Sequence, residues 1–213
     1  MRKLVLKMSM SLDGFVSGPN GEIDWVFKSS SPEGVAWTVE KISDASLHLM
    51  GSRTWRDMAS WWPTATGPFA PPMNAIPKVV FTRGDPDVLK RATTTQAIRD
   101  AAAAHTAPQQ PADPEVVKGW MQPHVAAGPM ADEVRKLKQG EGRPLVAHGG
   151  AGFARSLIAT GLIDEYVLIA HPVALGRGLP IFSDLAAPLP LQLVSAQSFP
   201  GGAVAKIYHP SQA

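Results

Sequence analysis

Four consecutive residues in the last third of the chain, Gly149, Gly150, Ala151 and Gly152, follow an apolar run and precede a helix-forming segment. Because glycine has no side chain, backbone N–H groups there can approach an anion, and a helix N-terminus adds partial positive charge. The chemistry that this pattern supports is the binding of a pyrophosphate. A ligand-free turn between a strand and a helix explains the segment equally well. A Rossmann fingerprint fits poorly, because its third glycine would have to stand at Arg155.

A second segment, Gly51, Ser52, Arg53 and Thr54, also follows an apolar run and precedes a predicted helix. The Arg53 guanidinium, the Thr54 hydroxyl and the free backbone donors of a helix start would suit phosphate oxygens. In the alternative interpretation, Thr54 is an ordinary helix N-cap and Arg53 is a solvated surface charge. The local sequence alone favours this alternative.

Asp13 stands before Gly14 at the end of the first predicted strand, where α/β proteins commonly place ligands. A carboxylate at this place could orient a polar ring or a proton-donating water. Asp-Gly is also a common turn, and local sequence favours the turn.

Several other kinds of site are not supported by the sequence. The chain has no cysteine, which excludes disulfides, thiolate metal sites and cysteine nucleophiles. Its six histidines lack the spacing of metal ligands, so we expect core or surface residues rather than a metal site. No serine stands in a Gly-x-Ser-x-Gly elbow, which argues against a hydrolase. Trp61 and Trp62 could cover a cleft, but packing is the favoured interpretation.

The composition predicts one globular α/β domain. Of 213 residues, 45% are hydrophobic and 18% are charged, which is enough apolar material for a single buried core. The 20 basic and 18 acidic residues are scattered along the chain, so we expect no nucleic-acid partner. No segment approaches the ~20 apolar residues of a membrane span, and Lys7 interrupts an N-terminal run too short for a secretion signal. We therefore expect a cytoplasmic protein.

The predicted elements alternate between strands and helices. Period-two patterns or short apolar runs predict strands at 4–11, 47–50, 78–82, 144–148, 165–170, 191–198 and 204–209. An N-cap signal predicts one helix that starts near Ser31, and helical spacing predicts three more over 54–60, 130–138 and 153–159. This order predicts a mainly parallel sheet with helices on both faces and a C-terminal antiparallel hairpin. The segment 84–128 fits neither pattern and is interpreted as an insertion or a mobile flap, with an Ala-rich helix near 97–104.

Taken in order, six motifs along the chain resemble the dihydrofolate reductase-like superfamily. The closer resemblance is to the branch that contains the reductase domain of bifunctional riboflavin-biosynthesis proteins. The six motifs are Met10 to Gly14, Gly21 to Trp25, Met50 to Trp55, Pro77 to Thr82, His148 to Gly150 and Gly161 to Phe182. The last motif is the most specific, and the resemblance covers nearly the whole chain outside 84–128.

The resemblance implies a single dihydrofolate reductase-like domain over 1–213 and NADPH as the hydride donor. It implies that Asp13 and Trp25 line the substrate side, with Asp13 as the catalytic residue. We also expect a homodimer. The residues that the resemblance implies for cofactor binding are Gly51, Ser52, Arg53, Thr54, Thr82, Arg83, Gly149, Gly150, Ala151 and Gly152.

Two departures from the family pattern narrow the expected function. Dihydrofolate reductases carry an acidic residue one helical turn after the loop tryptophan, whereas Val26 to Ser30 follow Trp25 here. The riboflavin enzyme is usually joined to a zinc deaminase with His and Cys ligands, and this chain has no cysteine. We therefore expect a stand-alone reductase of a small pyrimidine- or pterin-like heterocycle other than dihydrofolate. The alternative is a non-catalytic module that binds a nucleotide or another small ligand on the same fold.

Overall fold

The computed structural model describes residues 1–84 and 110–211. The described strands are β1 (Leu4–Ser11), β2 (Leu47–Gly51), β3 (Lys78–Phe81), β4 (His124–Ala126), β5 (Leu145–His148), β6 (Glu165–His171), β7 (Leu191–Ser198) and β8 (Val204–Pro210). The described α-helices are α1 (Pro32–Ser43), α2 (Ser52–Trp61), α3 (Ala70–Ala75), α4 (Pro114–Met121), α5 (Met130–Lys138) and α6 (Ala151–Ile158), and a 3₁₀ helix covers Asp24–Ser29.

The described strands form one sheet in the order β4-β3-β2-β5-β1-β6-β8-β7. Strands β1 to β6 pair in parallel, and β8 joins β6 and β7 in antiparallel pairs. The predicted parallel sheet with a C-terminal antiparallel hairpin is therefore confirmed. Strand β1 lies between β5 and β6, and Lys7 is in register with His148 on one side and Val167 on the other.

Helices cover both faces of this sheet. On one face, Val134 of α5 and Leu157 of α6 pack into the main apolar core with Leu6 of β1. On the opposite face, helices α1 to α4 pack a second core in which Ile42, Trp55, Met73 and Trp120 surround Met50 and Val80. Each large apolar side chain buried in this way contributes about 1.5–3 kcal/mol of transfer free energy. Within the described ranges, no helix combines the length and the apolar character needed to cross a bilayer.

Part of the segment predicted as an insertion or flap is regular structure. Asp113 caps α4 by accepting a hydrogen bond from the Glu115 N–H (2.8 Å), and Pro114 occupies the first turn. Strand β4 then joins the sheet edge beside β3. The prolines of this segment indicated irregular structure. Proline is nevertheless compatible with the first position of a helix, because the backbone N–H that it lacks would have no helical partner there. The predicted Ala-rich helix at 97–104 lies outside the described residues.

Candidate active site

A cavity of about 730 Å³ lies between the sheet, α1 and α2. Its floor is the sheet, where β1 contributes Lys7 and Ser9, β5 contributes His148, and β6 contributes Ile169 and His171. The described lining of its walls and mouth is largely apolar and aromatic and includes Ile23, Val26, Phe27, Val35, Ile42, Met58, Trp61, Trp62, Phe69, Met73 and Phe199. The two tryptophans expected to pack therefore line a cleft.

The polar floor follows from the alternation of side chains along β1. Leu4, Leu6 and Met8 join the core beneath α5 and α6, whereas Lys7 and Ser9 face the cavity on the other side. A central strand of a sheet covered on both faces normally carries apolar residues on both sides. Two polar residues on one face of such a strand therefore require a cavity or a ligand above them.

Lys7 lies at the centre of the floor, and burial lowers the pKa of its ammonium to about 8. Its neighbour His148 is buried, and burial followed by the nearby His48 and Lys7 holds the His148 pKa well below its ordinary range. The His48 and His148 rings meet edge to face with centroids 4.5 Å apart. The Nε2 atom of His148 has no hydrogen-bond partner among the described residues. It can therefore exchange a hydrogen bond with a ligand in the cavity.

His171 closes the other side of the floor. Its Nδ1 atom lies 2.7 Å from Ser29 Oγ, and its Nε2 atom has no partner among the described residues. Burial, followed by the charge of Lys7, lowers the pKa of His171 to about 4. Trp25 packs edge-on against this ring with centroids 5.5 Å apart, and its Nε1–H donates to the Glu22 carbonyl (3.1 Å). Trp25 thus supports a cavity residue from behind.

These side chains give the cavity a proton donor and neutral hydrogen-bonding groups. A group whose pKa lies near the working pH is suited to general acid–base chemistry, and Lys7 meets that condition. The histidines and Lys7 do not form a metal site, since the described part of the chain holds no cluster of three or more metal-ligating side chains.

The two glycine segments predicted from the sequence lie against each other at the carboxyl edge of the sheet. Gly51 and Gly150 are the N-caps of α2 and α6, and neither helix has a side-chain cap. A Cβ placed on Gly150, whose φ is +50°, would lie 2.8 Å from Thr54 Oγ1, and one on Gly51 would lie 2.9 Å from the Phe153 Cβ. Two neighbouring helix starts therefore offer uncapped backbone N–H groups.

The other predicted cofactor residues lie on the same edge. Thr82 and Arg83 follow β3, which pairs with β2. The Arg83 guanidinium donates to Ser156 Oγ on α6 (2.7 Å), and Thr82 Oγ1 accepts from the Gly84 N–H (3.1 Å). Arg53 is exposed in the first turn of α2. These residues fit a dinucleotide phosphate, because uncapped backbone donors and two arginine side chains lie on the same edge of the sheet.

Asp13 lies at the end of β1, exposed and outside the set of described residues that line the cavity. Its Oδ1 atom accepts from Ser11 Oγ (2.6 Å) and the Leu175 N–H (3.1 Å), and its Oδ2 atom accepts from the Gly176 N–H (2.7 Å). The hydrogen bond from Ser11, followed by those from Gly176 and Leu175, lowers the Asp13 pKa to about 2. In this structure the carboxylate anchors the loop after β6.

Comparison with known proteins assigns this architecture to a family. Residues 2–205 match the model of the RibD C-terminal domain. The chain belongs to the RibD C-terminal domain family. The predicted resemblance is thereby confirmed. A family relative, the uncharacterized protein YyaP of Bacillus subtilis, is 26% identical over 213 residues, which cover 98% of this chain and 95% of that protein.

Solved structures with a similar fold include proteins named for riboflavin biosynthesis and a dihydrofolate reductase. A putative riboflavin biosynthesis protein from Shewanella sp. PV-4 is 19% identical, with a TM-score of 0.68 and full coverage of both chains. A deaminase and 5-amino-6-(5-phosphoribosylamino)uracil reductase from Thermotoga maritima is 16% identical, with a TM-score of 0.62 over 99% of this chain and 57% of that one. A dihydrofolate reductase from Enterococcus faecalis complexed with NADP(H) is 15% identical, with a TM-score of 0.57 and coverage of 99% and 97%. The dihydrofolate reductase-like fold is therefore confirmed.

Sequence reasoning missed three residues of this candidate site, namely Lys7, His148 and His171. The available signal was the polar face of β1, where Lys7 and Ser9 alternate with core residues. The histidines were expected to be core or surface residues rather than metal ligands. No local pattern separates a histidine on a cavity floor from one in a dry core, because the distinction depends on what lies above the sheet.

Proposed function

We propose that this RibD-family chain is an NADPH-dependent reductase of a small heterocyclic substrate of the pyrimidine or pterin type, other than dihydrofolate. Family membership supports reductase chemistry. When bound, NADPH supplies a hydride, and the protein contributes position, protons and exclusion of water. The observation that carries the proposal is that two contacting, uncapped helix starts adjoin a cavity that holds Lys7 and His148.

In this proposal the carboxyl edge of the sheet holds the dinucleotide. The uncapped N–H groups of α2 and α6 bind the pyrophosphate, Arg53 and Thr54 contact phosphate oxygens, and Arg83 lies where a further phosphate can pair with it. Because His148 ends β5 and Gly149 follows it directly, the cofactor turn and the cavity floor share one strand. The full set proposed to bind the cofactor is Gly51, Ser52, Arg53, Thr54, Thr82, Arg83, Gly149, Gly150, Ala151 and Gly152.

Lys7 is the proton donor in this proposal. Its ammonium lies on the cavity floor with a pKa of about 8, so it is mostly protonated at neutral pH and can pass a proton to a ring nitrogen or carbonyl oxygen. His148 and His171 orient the polar edge of the substrate through their free Nε2 atoms. Trp25 holds the His171 ring in place. Asp13 acts indirectly, by fixing the loop at Leu175 and Gly176.

The rival function is a non-catalytic binding module on the same fold. Asp13 favours this binding module, because its carboxylate already accepts hydrogen bonds from the backbone of the loop after β6. The test is to titrate the full chain with NADPH and NADH and then follow NADPH absorbance with a panel of pyrimidines and pteridines. Cofactor at a hundred times its dissociation constant should stabilise the fold by ~2.7 kcal/mol. Binding without oxidation by any heterocycle would favour the module, and absence of dinucleotide binding would refute the NADPH-dependent reductase.

We also propose that two copies associate through the edge strand β7. Residues 192–198 are exposed on both faces, with Leu193 and Val194 52% and 53% exposed, and β7 carries no charged residue. Free edge strands in monomers are usually protected by charges or prolines. Light scattering should give a dimer mass for the wild type and a monomer mass for Val194→Lys. A monomeric wild type at high concentration would exclude this assembly.

A further inference from the structure

The distribution of charge around the cavity distinguishes it from a phosphate-binding pocket. Among its described lining residues, Lys7 is the one Lys or Arg, and it lies on the floor. Asp57 of α2 also lines this space. The floor histidines are held neutral by burial, as their lowered pKa values indicate. A phosphate dianion could therefore pair with only one ammonium among these residues, and the rest of its lost hydration would not be replaced, which is costly in a desolvated site.

The N-terminus of α1 borders the cavity but is not available to an anion. Ser31, the N-cap, and Gly34 both line the cavity, and Ser31 Oγ already accepts the Gly34 N–H (3.2 Å). Pro32 has no N–H to offer, and Glu33 places a carboxylate in the first turn. The helix starts at α2 and α6, by contrast, have no side-chain caps. The helix starts on the proposed dinucleotide side therefore present uncapped N–H groups to an anion, whereas the start of α1, on the substrate side, does not.

The walls supply a large apolar surface. Aromatic side chains from four separate segments face the space, among them Phe27, Trp61, Phe69 and Phe199. The volume of about 730 Å³ lies in the range of pockets that enclose drug-sized ligands, and a bare pyrimidine ring would leave most of this surface uncovered. The polar groups are confined to the floor, so they match one edge of a ligand.

We propose that the substrate is a phosphate-free ring compound with one polar edge and a bulky apolar body. This inference rests on the proposed reductase function and specifies its substrate class. The polar edge lies on Lys7, His148 and His171, and the apolar body contacts the aromatic walls. The substrate therefore differs in class from the phosphoribosyl compound named for the Thermotoga maritima protein.

The test compares three uracils on the full chain with and without NADPH, using calorimetry. The probes are 6-benzyluracil, which is neutral and apolar, orotate, which carries a carboxylate, and 5-amino-6-(5-phosphoribosylamino)uracil. We expect 6-benzyluracil to bind at least tenfold more tightly than either charged probe. Equal or tighter binding of the phosphoribosyl compound would overturn the proposal. If NADPH binds but 6-benzyluracil is not preferred, the proposed substrate class is refuted and the reductase proposal stands. If 6-benzyluracil is preferred but NADPH does not bind, the reductase proposal is refuted and the ligand preference stands.

Variants make the test independent of folding defects. Trp61→Ala should weaken 6-benzyluracil about tenfold while leaving NADPH affinity unchanged, and the matched control Phe182→Ala, which removes a ring packed in the core on the opposite face, should leave both unchanged. Val35→Lys adds a cation to the α1 wall of the cavity and should improve binding of orotate and the phosphoribosyl compound. A Val35→Lys variant that binds NADPH but keeps the wild-type order of the three probes would contradict the charge argument.

Discussion

The hydroxyl oxygen of Thr54 lies 2.8 Å from the point that a Cβ atom would occupy on Gly150. This relationship joins the first turn of α2 to the turn that begins α6, and it explains why the position after Gly149 is glycine. Gly150 also has a φ of +50°, a conformation that L side chains adopt at a cost. The two helix starts can therefore lie side by side only because one of them has no side chain at the contact.

Gly150→Ala should lower the free energy of unfolding by about 1–3 kcal/mol, because it combines left-handed backbone strain with the contact to Thr54. Thr54→Ala should restore part of this loss in the double variant, since it removes the contact but not the strain. Urea unfolding of the four members of the cycle measures the coupling. Strictly additive effects would show that the two turns do not touch in solution.

Gly152→Asp should weaken NADPH binding more than tenfold without loss of stability. A Cβ at this exposed position in the first turn of α6 meets no neighbour within 4 Å, and a carboxylate there is favourable for the helix but repels a pyrophosphate. Gly152→Asn is the control, since it has the same shape without the charge and should bind NADPH more tightly than the Asp variant. Equal affinities for the two variants would remove α6 from the phosphate site.

Lys7→Met should stabilise the protein and abolish most turnover. Burial lowers the Lys7 pKa from its ordinary value of 10.5 to about 8. Below pH 8 the buried ammonium therefore lowers the free energy of unfolding by its full amount. Between pH 8 and 10.5 this loss decreases, because Lys7 becomes neutral in the folded protein. The variant should gain about 1–3 kcal/mol at pH 7 and lose about a hundredfold or more in kcat. The gain should shrink towards pH 10.5.

The wild-type kcat should fall as pH rises through about 8, because the proton donor is then lost. His148, His171 and Asp57 line the same cavity as this ammonium, and His48 packs against His148. Burial lowers the pKa values of His48 and His171 to about 4 and holds the pKa of His148 well below its ordinary range, so these histidines do not titrate in that window. Lys3→Met, which removes an exposed charge from the same N-terminal region, should change neither kcat nor its pH profile. A Lys7→Met variant with wild-type turnover would exclude Lys7 as the donor.

Asp13→Asn should reduce kcat more than it reduces NADPH affinity, and it should keep the fall in kcat near pH 8. The folded-state pKa of about 2 lies below the ordinary value of 3.8, so the carboxylate stabilises the fold above pH 4 and loses this effect as pH falls towards 2. The stability difference between wild type and variant should therefore vanish near pH 2. Unchanged turnover together with a persistent stability difference would leave Asp13 with a purely structural role.

Dihydrofolate should be turned over poorly even when NADPH binds well. A pterin needs an acceptor for its 2-amino and N3 hydrogens. The α1 face of the cavity offers Gly34, Val35 and Thr38 instead of an acid, and the one carboxylate among the described lining residues, Asp57, lies on α2. Leaving such donors unpaired costs on the order of 1–3 kcal/mol per group. Val35→Asp should improve dihydrofolate binding at least tenfold over Val35→Asn. Wild-type turnover of ~1–1000 per second, blocked by an antifolate, would contradict this expectation.

The sequence by itself determined seven of the eight described strands, four of the six described α-helices, the parallel sheet, the hairpin and the two glycine turns. These features depend on local periodicity and turn chemistry, as with Ser31 and Pro32 at the start of α1. They also sufficed for the resemblance that the family match confirmed.

Only the tertiary structure decided which residues meet at the cavity. Lys7, His148 and His171 come from three strands that are distant in sequence, and parallel register brings them to one floor. For Asp13, the local sequence favoured a turn and the family resemblance implied a site residue, whereas only the structure shows its two oxygens bound to the Leu175 and Gly176 N–H groups. The reason is physical: hydrogen-bond partners and burial are set by neighbours from other elements, and a linear pattern does not contain them.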